Sequence, residues 1–246
     1  MPNSIIQIRN LITQYGDKRI LDQISLDFFE NQVTVILGGS GCGKTTLLKS
    51  IIGLVSPAAG DVRIFGAHFD AADESHYNSA LRRIGVLFQN GALLNSISIA
   101  ENVAIPLEQH TRLDHDLINQ IVMTKLHMVG LDHAAYLLPS ELSGGMRKRA
   151  ALARAIALDP ELLFCDEPSA GLDPLTSAAL DDLILTLRDQ LNMSVVIVTH
   201  ELASIHRIAD RIIFLDQGKI LFSGSLTEAK TCQISEVELF FKTGSF

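Results

Sequence analysis

The chain has 246 residues, of which 47% are hydrophobic and 20% are charged, which is enough apolar content for a large α/β core. Its formal net charge of -8 argues against a nucleic-acid binder, whose affinity would depend on clustered Lys and Arg. No apolar run approaches the ~20 residues of a membrane-spanning helix, and the N-terminus lacks the apolar segment of a secretory signal. Three scattered cysteines, at positions 42, 165 and 232, have no paired or metal-type spacing and predict reduced thiols, of which the second and third are expected to be packing residues.

The predicted elements begin with two antiparallel strands, IIQIRNLI and ILDQISLDFF, joined by a tight loop. The β-branched strand VTVIL (33–37) then ends in glycines, and helical spacing follows in TTLLKSIIGL. After a turn with Pro and Gly, VRIFG and IGVLF add further strands.

A helical pattern runs from Ile97 to about Ala157 and opens with a capping box from Ser98 to Glu101. Strands and helices then alternate again, through LLFCD, VVIVT, RIIFLD and KILFSG, which predicts a parallel sheet with helices on its faces. The apolar tail, about 232–246, contains Phe240, Phe241 and Phe246, and we expect it to dock on its own domain or on a second copy.

A complete phosphate-binding loop lies between a predicted strand and a predicted helix. GGSGCGKT (Gly38–Thr45) matches the pattern G-x-x-x-x-G-K-[ST], whose glycines let backbone N–H groups face phosphates at a helix N-terminus. Lys44 is expected to reach the β- and γ-phosphates, and Thr45 is expected to place its hydroxyl on Mg²⁺.

Polar residues follow three other predicted strands. Asp166 ends the strand LLFCD and would hold Mg²⁺ through water, whereas Glu167 would polarise an attacking water. Without the phosphate-binding loop elsewhere in the chain, the two carboxylates would fit a solvated strand end equally well. His200 follows VVIVT as a candidate γ-phosphate contact, and Gln89 follows IGVLF. The alternative for His200 is a structural histidine, and the alternative for Gln89 is a surface amide.

Five motifs, GGSGCGKT, Gln89, LSGG, LLFCDEPSAGLDP and VTH, occur in the order and spacing of an ATP-binding cassette (ABC) ATPase, and the resemblance covers nearly the whole chain. It implies one domain over residues 1–246 with a P-loop NTPase (RecA-like) α/β core and a mainly parallel sheet. An antiparallel β subdomain and an inserted helical subdomain at about 90–160 would complete it. The nucleotide-binding residues that it implies are Tyr15, which would stack on adenine, and Gly38, Gly39, Ser40, Gly41, Cys42, Gly43, Lys44, Thr45 and Thr46.

The resemblance also implies roles for the remaining motif residues. Gln89 would contact Mg²⁺ and sense a membrane partner, Asp173 would lie at a dimer interface, and His200 would act as the switch histidine. Leu142, Ser143, Gly144 and Gly145 match the signature motif, which in the family completes the ATP site of a second copy in a head-to-tail dimer. The donor-rich start of that helix agrees with this role, because it suits a γ-phosphate delivered by another chain.

Met146 and the segment GALLNSISIAENVAIPL resemble the ATPase subunits of Mla/MCE-type phospholipid transporters. That resemblance implies a cytoplasmic, peripheral location on the inner membrane, with a membrane permease, an MCE-domain lipid carrier and a small STAS-type subunit as partners. Leu93, Leu94 and Ile97 would form a groove wall for the permease, or else ordinary core. Of the basic trio at positions 147–149, at least two side chains are expected on a solvated helix face.

Three other functions remain to be weighed against lipid transport. The catalytic motifs are common to amino-acid, metal and lipoprotein transporters, so the cargo depends on the resemblance alone. Non-transport ABC proteins usually carry two cassettes or coiled-coil arms, and this chain has neither. A P-loop kinase or GTPase would have no use for the LSGG helix or the switch His.

Overall fold

The computed structural model describes residues 3–68 and 74–244. The chain divides into two compact units. We call Met1–Leu81 with Ser194–Phe246 the P-loop unit, since it contains the phosphate-binding loop, and Arg82–Met193 the signature unit, since it contains LSGG. The inserted helical subdomain that the sequence predicts at about 90–160 falls inside the signature unit and stays a prediction as a separate body.

The P-loop unit contains an antiparallel sheet whose strand order is β2-β1-β4-β5. Its strands are β1 (Ser4–Tyr15), β2 (Lys18–Phe29), β4 (Ala59–Ile64) and β5 (Ala67–His68). In β1 and β2 buried apolar residues alternate with exposed ones over much of their length, as expected for a sheet with one covered face. The predicted pair of antiparallel strands at the start of the chain is confirmed.

A parallel group of strands forms the buried part of the same unit. β3 (Val33–Leu37) lies between β8 (Ser194–Val198) and β9 (Arg211–Asp216) and pairs in parallel with both, while β10 (Lys219–Ser225) runs antiparallel to β9. All five residues of β3 and of β8 are buried, which explains their continuous β-branched runs. The helices of the unit are α1 (Lys44–Ile51), α7 (Leu202–Ile208), α8 (Leu226–Thr231) and α9 (Ser235–Thr243).

Helix α2 (Glu74–Arg82) leads along the chain into the signature unit. There β6 (Ile84–Leu87) pairs in parallel with β7 (Leu162–Asp166). The helices of this unit are α3 (Ile99–His110), α4 (His115–Met128), α5 (Gly144–Ala155) and α6 (Pro174–Leu191). The mixture of parallel strands, an antiparallel sheet and helices confirms the predicted fold class.

Helix starts in the signature unit follow from local side-chain chemistry. Ser98 accepts a hydrogen bond from the N–H of Glu101, whose carboxylate accepts one in return from the N–H of Ser98, so the predicted capping box is confirmed. Ser143 caps α5 and Asp173 caps α6, which also has Pro174 at its first turn. Two of the four helix starts of this unit are therefore formed by residues to which the sequence assigns functional roles.

The apolar tail forms a helix that docks on its own unit. Within α9 the side chains of Val237 and Phe240 are fully buried, and the ring of Phe240 meets Phe214 of β9 edge-on at 6.2 Å between centroids. The expectation that the tail docks on its own domain is thereby confirmed for Phe240; Phe246 lies outside the described residues. Within residues 3–68 and 74–244, no helix has the length and hydropathy needed to cross a membrane.

Candidate nucleotide site

The phosphate-binding loop begins where β3 ends and closes at the start of α1. Gly38 has φ +152°, and a Cβ atom there would lie 2.1 Å from the carbonyl oxygen of Leu215 and 2.5 Å from Sγ of Cys42. Gly43, at φ +112°, is the left-handed residue from which α1 starts. The path of the backbone therefore requires glycine at these two positions of the motif.

The side chain of Lys44 folds back across the loop. Its Nζ donates hydrogen bonds to the carbonyl oxygens of Gly38 at 2.7 Å and Gly39 at 3.0 Å. A cavity of about 210 Å³ lies at the loop and the first turn of α1, and its lining consists of Ile20, Gly41, Gly43, Lys44, Thr45 and Thr46. A helix N-terminus and an ammonium group thus converge on one small cavity, which is the arrangement that binds phosphate.

The thiol of Cys42 packs against the loop and is not exposed at its mouth. The residue is 6% exposed, and burial raises the pKa of the thiol more than the nearby Lys44 lowers it. Cys165, in the fully buried strand β7, has its pKa raised by burial as well. All three cysteines are free thiols in the structure. Cys232, in the tail, is partly buried.

Two further predicted residues belong to the P-loop unit. Tyr15 ends β1, and 53% of its surface is exposed, so its ring is available for stacking. His200 is exposed and follows β8, whose Val198 lies beside Ile36 of β3 in the parallel register. Because the carboxyl ends of parallel strands meet at one edge, His200 lies at the edge from which the phosphate-binding loop starts.

Gln89 and Glu167 are brought together in the signature unit. The parallel pairing of β6 with β7 places Leu87 beside Cys165. Gln89 follows Leu87 by two residues, and Glu167 follows Cys165 by two residues, so the two leave the sheet side by side. Asp166 is buried, whereas Glu167 is partly exposed and has a positive φ of 47°, which is strained for a residue with a long side chain.

A buried lysine connects Gln89 with Glu167, and the sequence did not single it out. Nζ of Lys148, in α5, donates to the carbonyl oxygen of Gln89 at 2.5 Å and to that of Glu167 at 3.2 Å. Of the basic trio, Arg147 is exposed and Arg149 partly so, as expected, whereas Lys148 is only 8% exposed. Helical spacing was the available signal, since Lys148 is three and four residues before the buried Ala151 and Leu152.

The signature motif opens α5 as a helix N-terminus rich in donors. Oγ of Ser143 accepts from the N–H of Met146 at 3.2 Å, which leaves its own hydroxyl proton to donate elsewhere. Leu142 is buried and anchors the motif, while Ser143 and Gly144 are exposed. A Cβ atom on Gly145 would lie 2.6 Å from Cγ2 of Thr176, so α6 approaches the motif closely.

Asp173 has a structural task of its own in addition to the predicted interface role. Its carboxylate accepts hydrogen bonds from the N–H groups of Leu175 and Thr176, at 3.1 Å each, and from the Thr176 hydroxyl. The hydrogen bond from the Thr176 hydroxyl, together with those from the backbone, lowers the pKa of Asp173 below its ordinary value. The carboxylate therefore stays ionised near neutral pH and caps α6.

The predicted Mg²⁺ ligands are oxygen donors, which is the chemistry that this cation prefers. Thr45 carries a hydroxyl and belongs to the P-loop unit, whereas Gln89 and Asp166 carry an amide and a carboxylate and belong to the signature unit. In the part of the chain that the structure describes, no cluster of three or more His, Cys, Asp or Glu side chains is arranged to hold a metal by itself. The oxygen donors of these three residues are chemically compatible with the cation that the sequence predicts.

Comparison with known proteins decides the family. A profile described as ABC transporter matches residues 21–170, which is more than half of the chain. The chain belongs to the ABC transporter family. It is accordingly an ATP-hydrolysing cassette, as the phosphate-binding loop and the two carboxylates Asp166 and Glu167 predict.

Individual relatives of this cassette match over most of its length. It is 41% identical to the intermembrane phospholipid transport system ATP-binding protein MlaF of Haemophilus influenzae over 98% of this chain and 92% of that protein. The protein of the same name from Escherichia coli is 42% identical over 90% of this chain and 82% of its own length. Among solved structures, a dimeric ATP-binding cassette in a post-hydrolysis state with ADP and Pi is 29% identical, with a TM-score of 0.81, over 90% of this chain and 98% of that one.

Proposed function

We propose that this cassette powers phospholipid transport between the inner and outer membrane through a separate permease. The observation that carries the proposal is its identity to MlaF proteins along nearly the full length of both chains, at 41% over 242 residues. A match confined to the catalytic motifs would support any ABC cargo, but this one extends through the segments between them.

ATP binding is assigned to the P-loop unit. The backbone N–H groups of the loop and of the first turn of α1 would hold the phosphates, with the Nζ of Lys44 moving from its two carbonyl partners to the β- and γ-phosphates. The first turn of α1 carries no acidic side chain, so nothing there opposes an anion. Tyr15, half exposed at the end of β1, would stack on the adenine ring.

The cleavage step is assigned to Glu167, with Gln89 and His200 in support. Glu167 would orient and polarise the water that attacks the γ-phosphate, and His200 would contact the same phosphate. Thr45, Gln89 and Asp166 would hold Mg²⁺, which supplies neutralising charge on the phosphate oxygens when bound. Their oxygen donors fit that cation, as described above.

The signature motif is assigned to the ATP of a second copy. Ser143 and the N–H groups of Gly144 and Gly145 form a helix start with no acidic residue in its first turn, which favours an anion. Near it lies an exposed apolar residue, Leu175, with 84% of its surface accessible. A homodimer with two ATP molecules between the chains would use the motif and cover that leucine, and the solved relative with ADP and Pi is itself dimeric.

The segment after Gln89 is assigned to the permease. Asn102 is fully buried, accepts from the N–H of Leu94 at 2.8 Å and donates to its carbonyl oxygen at 3.0 Å. The backbone of Leu94 is therefore fixed while 51% of its surface stays exposed, with Leu93 and Ile97 partly buried beside it. A rigid, exposed apolar residue of this kind suits docking of a membrane subunit at the cytoplasmic face of the inner membrane.

An MCE-domain lipid carrier and a small STAS-type subunit complete the proposed assembly. Purification of the tagged chain from membranes, followed by identification of the accompanying proteins and lipids, tests the cargo. Copurification of an MCE-domain protein with phospholipid is expected. An amino-acid or metal permease in its place would refute lipid transport and leave the ATPase assignment intact.

The mechanism is tested by Glu167→Gln, which keeps the size of the side chain but removes its carboxylate. We expect ATP binding to be retained, turnover to fall by at least about 100-fold, and a dimer to accumulate with ATP. The measurements are a titration with a fluorescent ATP analogue, steady-state phosphate release and the mass of the particle in solution. A variant that remains a monomer with full turnover would exclude both the catalytic role and the ATP-bridged dimer.

A further inference from the structure

Lys148 is a buried cation in the middle of α5, and the roles assigned above do not use it. It is 8% exposed, and its Nζ donates to the backbone carbonyl oxygens of Gln89, at 2.5 Å, and Glu167, at 3.2 Å. These oxygens belong to segments that follow two different strands, β6 and β7. One ammonium group therefore joins the ends of two neighbouring strands to a third element.

The two carbonyl groups that Lys148 holds belong to residues at the centre of the proposed hydrolysis step. Glu167 has its backbone in the left-handed region, at φ 47°, which persists only where surrounding contacts fix it. A charged donor on the carbonyl oxygen of Glu167 is such a contact.

The same helix also holds the residues that follow Gln89. The guanidinium of Arg154 donates to the carbonyl oxygens of Ala92, at 2.7 Å, and Gly91, at 2.8 Å. A Cβ atom on Gly91 would lie 3.2 Å from the Cβ of Ala151, so the segment lies directly against α5. In total, α5 binds three carbonyl oxygens of the stretch from Gln89 to Ala92 and one of Glu167.

We propose that Lys148 is a positioning residue that fixes the backbone of Glu167 and Gln89 and so ties the signature helix to the hydrolysis step. The inference rests on the proposed catalytic role of Glu167. The expected effect falls on turnover more than on nucleotide affinity, because Lys148 holds two backbone carbonyl groups, whereas the loop Gly38–Thr45 that would hold the phosphates of the same chain belongs to another segment. Loss of Lys148 should therefore lower kcat and leave the KM for ATP unchanged.

The test compares Lys148→Met with Lys148→Arg in the full-length chain purified with its membrane partners. The Met variant keeps the apolar stem and removes the donors, and we expect kcat to fall at least about tenfold with KM within twofold of wild type. The Arg variant retains a charged donor and is expected to keep kcat within about threefold. Because an unfolded fraction would also lower the apparent kcat at unchanged KM, kcat is calculated per nucleotide-binding site titrated in each sample.

Lys125→Met is the matched control for the removal of a buried lysine. Lys125 is 4% exposed, lies in α4 of the same unit, and pairs with Asp159. It has no contact with the carbonyl oxygen of Gln89 or Glu167 among the interactions described above. We expect Lys125→Met to lower the melting temperature while kcat stays within twofold of wild type.

The outcomes separate this inference from the proposed function. The role of Lys148 would be overturned if Lys148→Met kept the kcat of wild type, or if Lys125→Met lost as much kcat as Lys148→Met. It would also be overturned if the KM of Lys148→Met rose in proportion to the fall in its kcat. If Glu167→Gln kept its turnover, the proposed catalytic role would fail first. If Lys148→Met does not fold, Lys148→Gln takes its place, because the donor of glutamine is uncharged and its side chain is one atom shorter than that of lysine. A loss of kcat of threefold or more at unchanged KM would then support the role of Lys148, and an unchanged kcat would refute it.

Discussion

Gly144 and Gly145 stand side by side in the first turn of α5, yet a methyl group on each would meet different surroundings. On Gly145 it would lie 2.6 Å from Cγ2 of Thr176, whereas on Gly144 it would lie 3.5 Å from Cδ2 of Leu172. The first distance is a clash with a stiff β-branched side chain, and the second is an ordinary van der Waals contact. Gly145→Ala should therefore strain the packing of α5 on α6, and Gly144→Ala should not.

The size of the effect follows from the difference between the two variants. Both replace glycine by alanine in the same turn, so the gain in helix propensity, at most about 1 kcal/mol, is nearly equal and cancels. Overpacking costs roughly 1–3 kcal/mol, which is then the expected difference in the free energy of unfolding. For a chain of this length, 1 kcal/mol corresponds to about 3 °C, so Gly145→Ala should melt roughly 3–9 °C below Gly144→Ala.

Thermal unfolding of the nucleotide-free chain measures this difference without involving the ATP site. Thr176→Ser removes Cγ2 but keeps the hydroxyl that donates to Asp173, so it should relieve the clash and leave the cap of α6 in place. The double variant Gly145→Ala/Thr176→Ser should therefore melt close to Thr176→Ser alone. The interaction free energy between the two substitutions is expected to be roughly 1–3 kcal/mol. Equal melting temperatures for the two alanine variants, or no recovery with serine, would show that the close approach of α5 and α6 is not what requires glycine at 145.

The tail and an exposed ion pair provide two further predictions. Phe240→Ala should lower the free energy of unfolding by about 3–5 kcal/mol and speed hydrogen exchange throughout α9, because the ring of Phe240 is fully buried against Phe214. The control Leu239→Ala, at an exposed position of the same helix, should cost less than about 0.5 kcal/mol. Similar exchange in both variants would contradict the docking of α9. Two hydrogen bonds from the guanidinium of Arg83, at 2.6 Å each, hold the pKa of Glu161 below its ordinary 4.5. The stability that this pair adds is therefore complete above pH 4.5 and is lost as the pH falls through the pKa that Glu161 has in the folded chain. Between about pH 5 and about pH 3, wild type should lose more stability than Glu161→Gln, and parallel melting curves against pH would contradict the assignment.

Most strands and the phosphate-binding loop were predictable because their signals are local. VTVIL is a short β-branched run that ends in glycines, and its buried strand, left-handed Gly43 and following helix all follow from residues within a few positions. The capping box at Ser98 was predictable for the same reason, since both of its hydrogen bonds close within three residues. The sequence also showed that His200 directly follows the strand VVIVT. Because the carboxyl ends of parallel strands meet at one edge, the pairing of β8 with β3 in the structure brings His200 to the edge from which the loop starts.

Features that depend on distant partners could not be predicted in the same way. The sequence of the tail showed that it is apolar, but not that it forms a helix whose Phe240 meets Phe214, because that contact joins segments about 26 residues apart. Lys148 resembles its exposed neighbour Arg147 in composition, and only the meeting of α5 with the ends of β6 and β7 buries it. Asp173 matched a family motif, and its second task as the cap of α6 became evident from the geometry alone.

Helix α5 joins three tasks along one rigid axis. Its first turn presents Ser143 and the two glycines, its middle holds Glu167 and Gln89 through Lys148, and its last turn holds Gly91 and Ala92 through Arg154. At a rise of about 1.5 Å per residue, Lys148 lies roughly 7 Å and Arg154 roughly 16 Å along the axis from Ser143. A helix three turns long does not bend easily over that distance, so a shift imposed on its N-terminus by a phosphate of the second copy would be felt at the carbonyl groups that it holds. On this reasoning the signature motif would act on two partners: the proposed nucleotide of the other chain, and the backbone of Gln89 and Glu167 in its own chain.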